Sequence, residues 1–253
     1  MLFTTIACCG LLTGCAHYAT PGAAADMRVF GLGRDMQTDA SVANALAKRP
    51  LAKLPTAIAV VRVQASGYQS ETAQGWGRGA YSIITQRDID NMDAKLDELR
   101  QKMPMVTGLA PINRLLLSED LRSDLELRQA AAALHADMLL IYTLDTVFHV
   151  QDVAAPVTVI TLGLSPNQVA HVSSTASAVI IDTRNGYVYG IAEATETQNQ
   201  LASGWTSEAA VDQTRRRVES NAFAKLVDNL QLTWTDVVSN LTHAQAAAGA
   251  DAR

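Results

Sequence analysis

Val179-Ile-Ile-Asp-Thr-Arg-Asn-Gly-Tyr-Val-Tyr189 is the stretch from which the fold can be read. Two β-branched and aromatic runs flank Asn185-Gly186, a dipeptide that supplies positive φ at both central residues of a type I′ turn. The pattern predicts a β-hairpin, residues 178–184 against 187–194. Working upstream, residues 157–164 and 169–181 read as two further strands parted by Ser165, Pro166 and Asn167. Residues 137–148 form a long strand whose almost continuously apolar first half suits a central position in a sheet. Residues 56–65, 81–85 and 112–117 complete the strands. Between them, Met92, Leu96, Leu99 and Met103 share one face of a helix stopped by Pro104. Ser118 is placed to cap another helix carrying Leu121, Leu125 and Ala132 and ending at His135. Downstream, Val211, Val218, Ala222, Leu226, Leu230, Trp234, Val238 and Leu241 make the apolar stripe of a long helix over 207–242. The order argues α+β (mixed α/β): one mixed or antiparallel sheet with helices packed mainly on one face and a long C-terminal helix.

The chain has 253 residues, 48% apolar and 18% charged, with a net charge of −5. This composition disfavours bulk disorder, and an acidic balance argues against a nucleic-acid partner. The three cysteines, Cys8, Cys9 and Cys15, all fall in the first fifteen residues. Residues 2–14 are an uncharged, largely apolar run, too short to span a bilayer but of signal-peptide length. The run ends in Leu12-Thr13-Gly14-Cys15, which resembles a bacterial lipobox: small residues admit the backbone to a peptidase cleft, and the thiol takes the lipid. No Lys or Arg precedes Arg28, so either translation starts upstream of Met1 or the signal is atypical. Cleavage before Cys15 leaves a mature chain with no other thiol, which rules out cysteine nucleophiles and cysteine-ligated metals. Ala16 after the cysteine resembles the sorting signal of outer-membrane lipoproteins, facing the periplasm. The expected organisation is a signal peptide over 1–14, a lipidated Cys15 and tether with a short helix over 15–54, one domain over 55–243, and a disordered tail over 244–253.

Three local signals resemble a known group: Leu134-His-Ala-Asp137 running into a strand, the hairpin with Asp182 and Gly186, and the long C-terminal helix. Together they are similar to the periplasmic α/β domains of curli-secretion-type and TolB amino-terminal-type proteins, and to the lipoproteins found beside rhombosortase systems. The resemblance implies an envelope compartment and a non-enzymatic assembly role. The C-terminus lacks the Gly-Gly motif, apolar span and basic tail of rhombosortase substrates.

Candidate chemistry is sparse. No two of His17, His135, His149, His171 and His243 stand three or four apart, so no helical metal clip is expected. Neither His-Glu-x-x-His nor Gly-x-Ser-x-Gly occurs. We therefore expect no enzyme, no metal and no cofactor. Gly75-Trp-Gly-Arg-Gly79 is the one candidate ligand loop, because Trp76 and Arg78 can stack on a glycan or peptide. Arg215-Arg216-Arg217 reads as a solvated helix face. The expected partners are the membrane, through the lipid on Cys15, and other envelope proteins; a homo-oligomer is compatible. The leading expectation is a scaffold or accessory factor of an envelope assembly. The alternatives are a subunit of an oligomeric secretion channel, or an envelope enzyme or ligand-binding protein with an unrecognised site.

Overall fold

The structure, a computed structural model, describes residues 21–30, 38–85, 92–152, 168–202 and 208–251. The signal segment, the lipobox Leu12–Cys15 and the 157–164 strand lie outside the described residues. In chain order the elements are α1 (Asp39–Ala47), β1 (Thr56–Ala65), β2 (Arg78–Gly79), β3 (Tyr81–Ile84), α2 (Met92–Lys102), β4 (Val106–Pro111), β5 (Asp120–Leu121), α3 (Asp124–Ala133), β6 (Met138–Asp152), β7 (Gln168–Asp182), β8 (Val188–Ala202) and α4 (Glu208–Asp251). Six strands form one mixed sheet in the order β3-β1-β6-β7-β8, with β4 beside β1. β1 runs parallel to β4 and β6 and antiparallel to β3, and β6, β7 and β8 form an antiparallel meander. The α+β reading of the sequence is the fold observed.

Burial changes character along the meander. In β7, residues 178–182 are buried without a break, whereas from His171 to Ser177 only alternate residues are buried. The reason is coverage. α2 and α4 pack on one face, where Leu99, Met103, Leu226, Leu230 and Trp234 meet Ile58, Val60, Leu140 and Ile180. α3 and the segment around Phe30 cover only part of the other face, over Val61, Ile141, Val179 and Ile181. Beyond them, His171, Ser173, Thr175 and Ser177 on that face are only partly buried. The edge strand β8 is held by α4 itself: Asn229 Nδ2 donates to the Glu193 carbonyl at 2.7 Å, and Thr233 Oγ1 approaches the Ile191 carbonyl at 3.5 Å.

The hairpin forms, with Ile181 opposite Val188, but not through a type I′ turn. Four residues, 183–186, make the connection, and the Gly186 N–H donates to the Asp182 carbonyl at 2.9 Å. Gly186 (φ 67°) is its only left-handed residue. Asn185 contributes through its side chain, accepting from the Tyr187 N–H and donating to the Arg49 carbonyl. Asp182 is wholly buried and accepts from the Leu51 and Ala52 N–H groups, each at 2.9 Å, and from the Tyr189 hydroxyl at 2.6 Å. The Asp and Gly of the resemblance motif are thus structural. His135 is likewise a helix stop: at φ 55° it lets Ala136 N–H reach the Ala131 carbonyl.

Several boundaries differ from expectation. No strand occupies 112–117; β4 lies earlier, and Asn113 caps a 3₁₀ turn over Arg114–Leu116. The cap of α3 is Ser123 rather than Ser118, because Glu126 stands three residues on and closes a reciprocal capping box. Leu121 belongs to β5, and the long helix continues to Asp251 through the Ala-rich stretch read as a disordered tail, consistent with alanine's helix propensity.

The largest revision concerns the tether. Residues 21–30 are part of the fold, with Phe30 buried against Tyr81 at 4.9 Å between ring centroids. β1 and β6 cease to pair after Val61 and Ile141. Gln64 bridges the gap, its Nε2 donating to the Leu144 carbonyl at 2.8 Å and its Oε1 accepting from the Leu144 N–H at 2.9 Å. Into this wedge fits the small-residue run Ala23-Ala24-Ala25. The Ala65 N–H donates to the Ala23 carbonyl, and the Ala25 N–H donates to Thr143 Oγ1.

The buried phenols give the fold an alkaline limit. Burial pushes the Tyr142 hydroxyl up to about 12 and raises Tyr81 and Tyr189 further, the latter with help from its bond to Asp182. A raised folded-state pKa gives stability that is complete below the ordinary tyrosine value near 10 and is lost as pH climbs through about 12. Absorbance titration of the six tyrosines should show a group that ionises only together with loss of circular dichroism above about pH 12.

Candidate functional site

The loop 75–79 is built around glycines that no other residue could replace cheaply. Gly79 has φ 114°, and a Cβ there would lie 2.5 Å from the Leu121 carbonyl oxygen. This close approach lets β2 pair with β5, Arg78 beside Asp120. Trp76 is half-buried; its backbone pairs with Ile83 and its ring packs against the core that includes Tyr81 and Leu121. Arg78 is largely exposed and bound to Glu119 at 3.0 Å. Gly75, Trp76, Gly77, Arg78 and Glu119 line an open recess of about 250 Å³. The structure therefore brings Trp76 and Arg78 to one recess, as the loop reading requires, with Arg78 already engaged by a carboxylate.

A second surface is formed by cross-strand neighbours, which no helical spacing in the sequence reveals. His149 and His171 are direct partners across β6 and β7, their ring centroids 6.4 Å apart, and His171 Nδ1 lies 2.7 Å from Asn199 Oδ1. Below them come Ser173 with Thr197 at 3.0 Å, Thr175 with Thr195 at 2.9 Å, and Ser177 donating to Glu193 at 2.9 Å. A two-residue turn at Asn185-Gly186 would set His171 opposite Gln200; the four-residue connection and the register shift at Ile180/Ile181 set it opposite Asn199 instead, so the rows could not be counted from the turn. Among the described residues no three His, Cys, Asp or Glu side chains gather as a metal site needs.

The arginine run is a solvated face only at Arg217; Arg215 and, in part, Arg216 are turned inward. Arg215 is wholly buried, donating to Asp212 Oδ1 at 2.9 Å and Glu219 Oε2 at 2.8 Å, and Arg216 Nε lies 3.2 Å from Asp212 Oδ2. Glu219 also accepts from Thr146 Oγ1 at 2.9 Å and lies 3.8 Å from the buried Arg62 of β1. Arg62 sits over the Tyr68 ring and donates to its hydroxyl at 3.2 Å. Asp212, Arg215 and Glu219 at spacings of three and four share one helix face, which was legible; that this face looks inward at Arg62 was not.

No family model matches the sequence, and no curated protein matches it. Similar solved structures include the PelC dodecamer of Paraburkholderia phytofirmans, at 12% identity over 72% of this chain and 91% of that one, TM-score 0.28. Others are protein XCC0632 of Xanthomonas campestris, of family DUF330 (11% identity, 75% and 94%, TM-score 0.35), and a provisionally assigned lipoprotein of Caulobacter crescentus CB15 (14% identity, 45% and 80%, TM-score 0.26). At these scores and identities the likeness assigns neither partner nor assembly to this chain.

Proposed function

We propose that the protein is a lipid-anchored, periplasm-facing, non-enzymatic accessory factor of a cell-envelope assembly, held at the outer membrane through Cys15. The observation that carries this reading is the position of the fold relative to the lipobox. Leu12-Thr13-Gly14-Cys15 ends an uncharged apolar run, and Pro21, six residues on, is already buried. Cleavage before Cys15 would thus leave six residue steps between the lipid and a buried residue of the domain, the short spacing expected of a lipoprotein. Trp76 with Arg78, and the hydroxyl rows of β7 and β8, are the surfaces offered to a partner. The channel alternative is less well supported: within the described part of β7, one face carries Ser173, Thr175 and Ser177 and the other is covered by α4, whereas a lipid-facing strand needs one apolar face.

Palmitate labelling with membrane sedimentation tests the anchor. Wild type should incorporate label and pellet with membranes, and Cys15→Ala should lose both while keeping its circular dichroism. Label retained in Cys15→Ala would sink the reading.

A further inference from the structure

We propose that His149 and His171 are the two protein ligands of a site for a divalent first-row transition ion, Cu²⁺ above all, that ties β6 to β7. The site does not depend on the lipid anchor.

Strand register makes the first argument. The two histidines are direct partners in the antiparallel pair, with ring centroids 6.4 Å apart and 33° between the ring planes. An ion shared by two imidazoles sets their centroids about 5 Å apart, since each ligating nitrogen stands about 2.0–2.1 Å from the metal. His149 is exposed, and the torsion that turns its ring is soft, so its side chain can close the difference.

Asn199 supplies the second, independent argument. His171 Nδ1 lies 2.7 Å from Asn199 Oδ1, and an amide oxygen only accepts, so the ring donates its proton there. The neutral imidazole then carries its lone pair on Nε2, the nitrogen left to ligate. Histidines that bind metal characteristically donate their other N–H to an oxygen, which fixes both tautomer and ring orientation. Asn199, opposite His171 on β8, is therefore a positioning residue.

Ligand chemistry selects the ion. Imidazole suits Cu²⁺, Ni²⁺ and Zn²⁺, with Cu²⁺ at the top of the affinity order, whereas Ca²⁺ and Mg²⁺ take oxygen ligands. Among the described residues no third His, Cys, Asp or Glu joins the pair. The protein thus fills two positions, and water or an outside donor fills the rest. From Thr143 to His149, the rows on this face and their partners on β7 and β8 hold Asp145 and Glu193 but no Lys or Arg. Nothing in those rows repels a cation.

Titration of the full-length protein with Cu²⁺, read by electron spin-echo modulation, tests the site. Wild type should show the remote nitrogens of two imidazoles on the bound ion. His149→Asn and His171→Asn should each reduce the count to one and weaken binding at least about tenfold, with circular dichroism unchanged. Asn199→Ala should keep both imidazoles yet bind about tenfold more weakly, and Asn199→Asp, which accepts the same proton, should restore the affinity. His135→Asn is the control, because asparagine tolerates the left-handed backbone of that residue; it should bind as wild type does. Cu²⁺ should raise the Tm of wild type and of neither His149→Asn nor His171→Asn. A single imidazole on the ion in wild type, or equal affinity in wild type and both histidine variants, overturns the proposal. Asn199→Ala binding as tightly as wild type overturns the positioning role.

Discussion

Arg215→Ala is expected to destabilise the protein by about 3–5 kcal/mol, the scale for removing one partner of a buried charge cluster. Wild type balances two buried cations, Arg62 and Arg215, against two buried anions, Asp212 and Glu219. Arg215 makes the short contacts, while Arg62 is a full ångström more distant from Glu219 than Arg215 is. Loss of Arg215 therefore leaves Glu219 facing the more distant Arg62 and takes from Asp212 its fully buried cation, so the buried negative charge is under-compensated. Urea titration should show the midpoint fall steeply with an unchanged slope. Adding Glu219→Gln to Arg215→Ala should recover part of the loss, because one uncompensated charge is removed. A double mutant weaker by the sum of the single effects would show that the residues do not interact.

Trp234→Ala should cost a comparable amount, about 3–5 kcal/mol, by a different route. The side chain is wholly buried in α4 among Leu99, Met103 and Leu230. Its Nε1 donates to the Pro104 carbonyl at 2.8 Å and so fastens the corner between α2 and β4 to the long helix. Truncation leaves a cavity and an unpaired carbonyl together. Trp234→Phe separates the two terms, since it keeps most of the volume and loses the bond; it should cost only about 1–2 kcal/mol. Equal losses in the two variants would show that the hydrogen bond, not the packing, holds the corner.

The long elements were legible because their signals repeat. The apolar stripe of α4 and the uninterrupted run in β6 each average over many residues. Short elements were not, since one side chain decides them: Glu126 selects Ser123 over Ser118 as a cap, and β4, with Gly108 and Pro111, carries little strand character. Long-range pairings were the least visible. Nothing in Pro21–Ala25 says that small residues there fill the gap spanned by Gln64. The charge of Arg215 reads as exposed until β1 supplies Arg62, and the turn that follows it Tyr68, across from it. The candidate site followed the same division: the Trp76 loop was found from its glycines, and the histidine row was hidden in strand register.

The seal that Asn229 and Thr233 place on β8 has a consequence for biosynthesis. A ribosome completes all of the sheet before it makes the helix that shields its last strand. A chain stopped short of Asn229 would carry a finished meander with an open edge, a template for pairing with its neighbours. Frameshifts late in the coding sequence should therefore yield insoluble protein rather than a shortened but serviceable one.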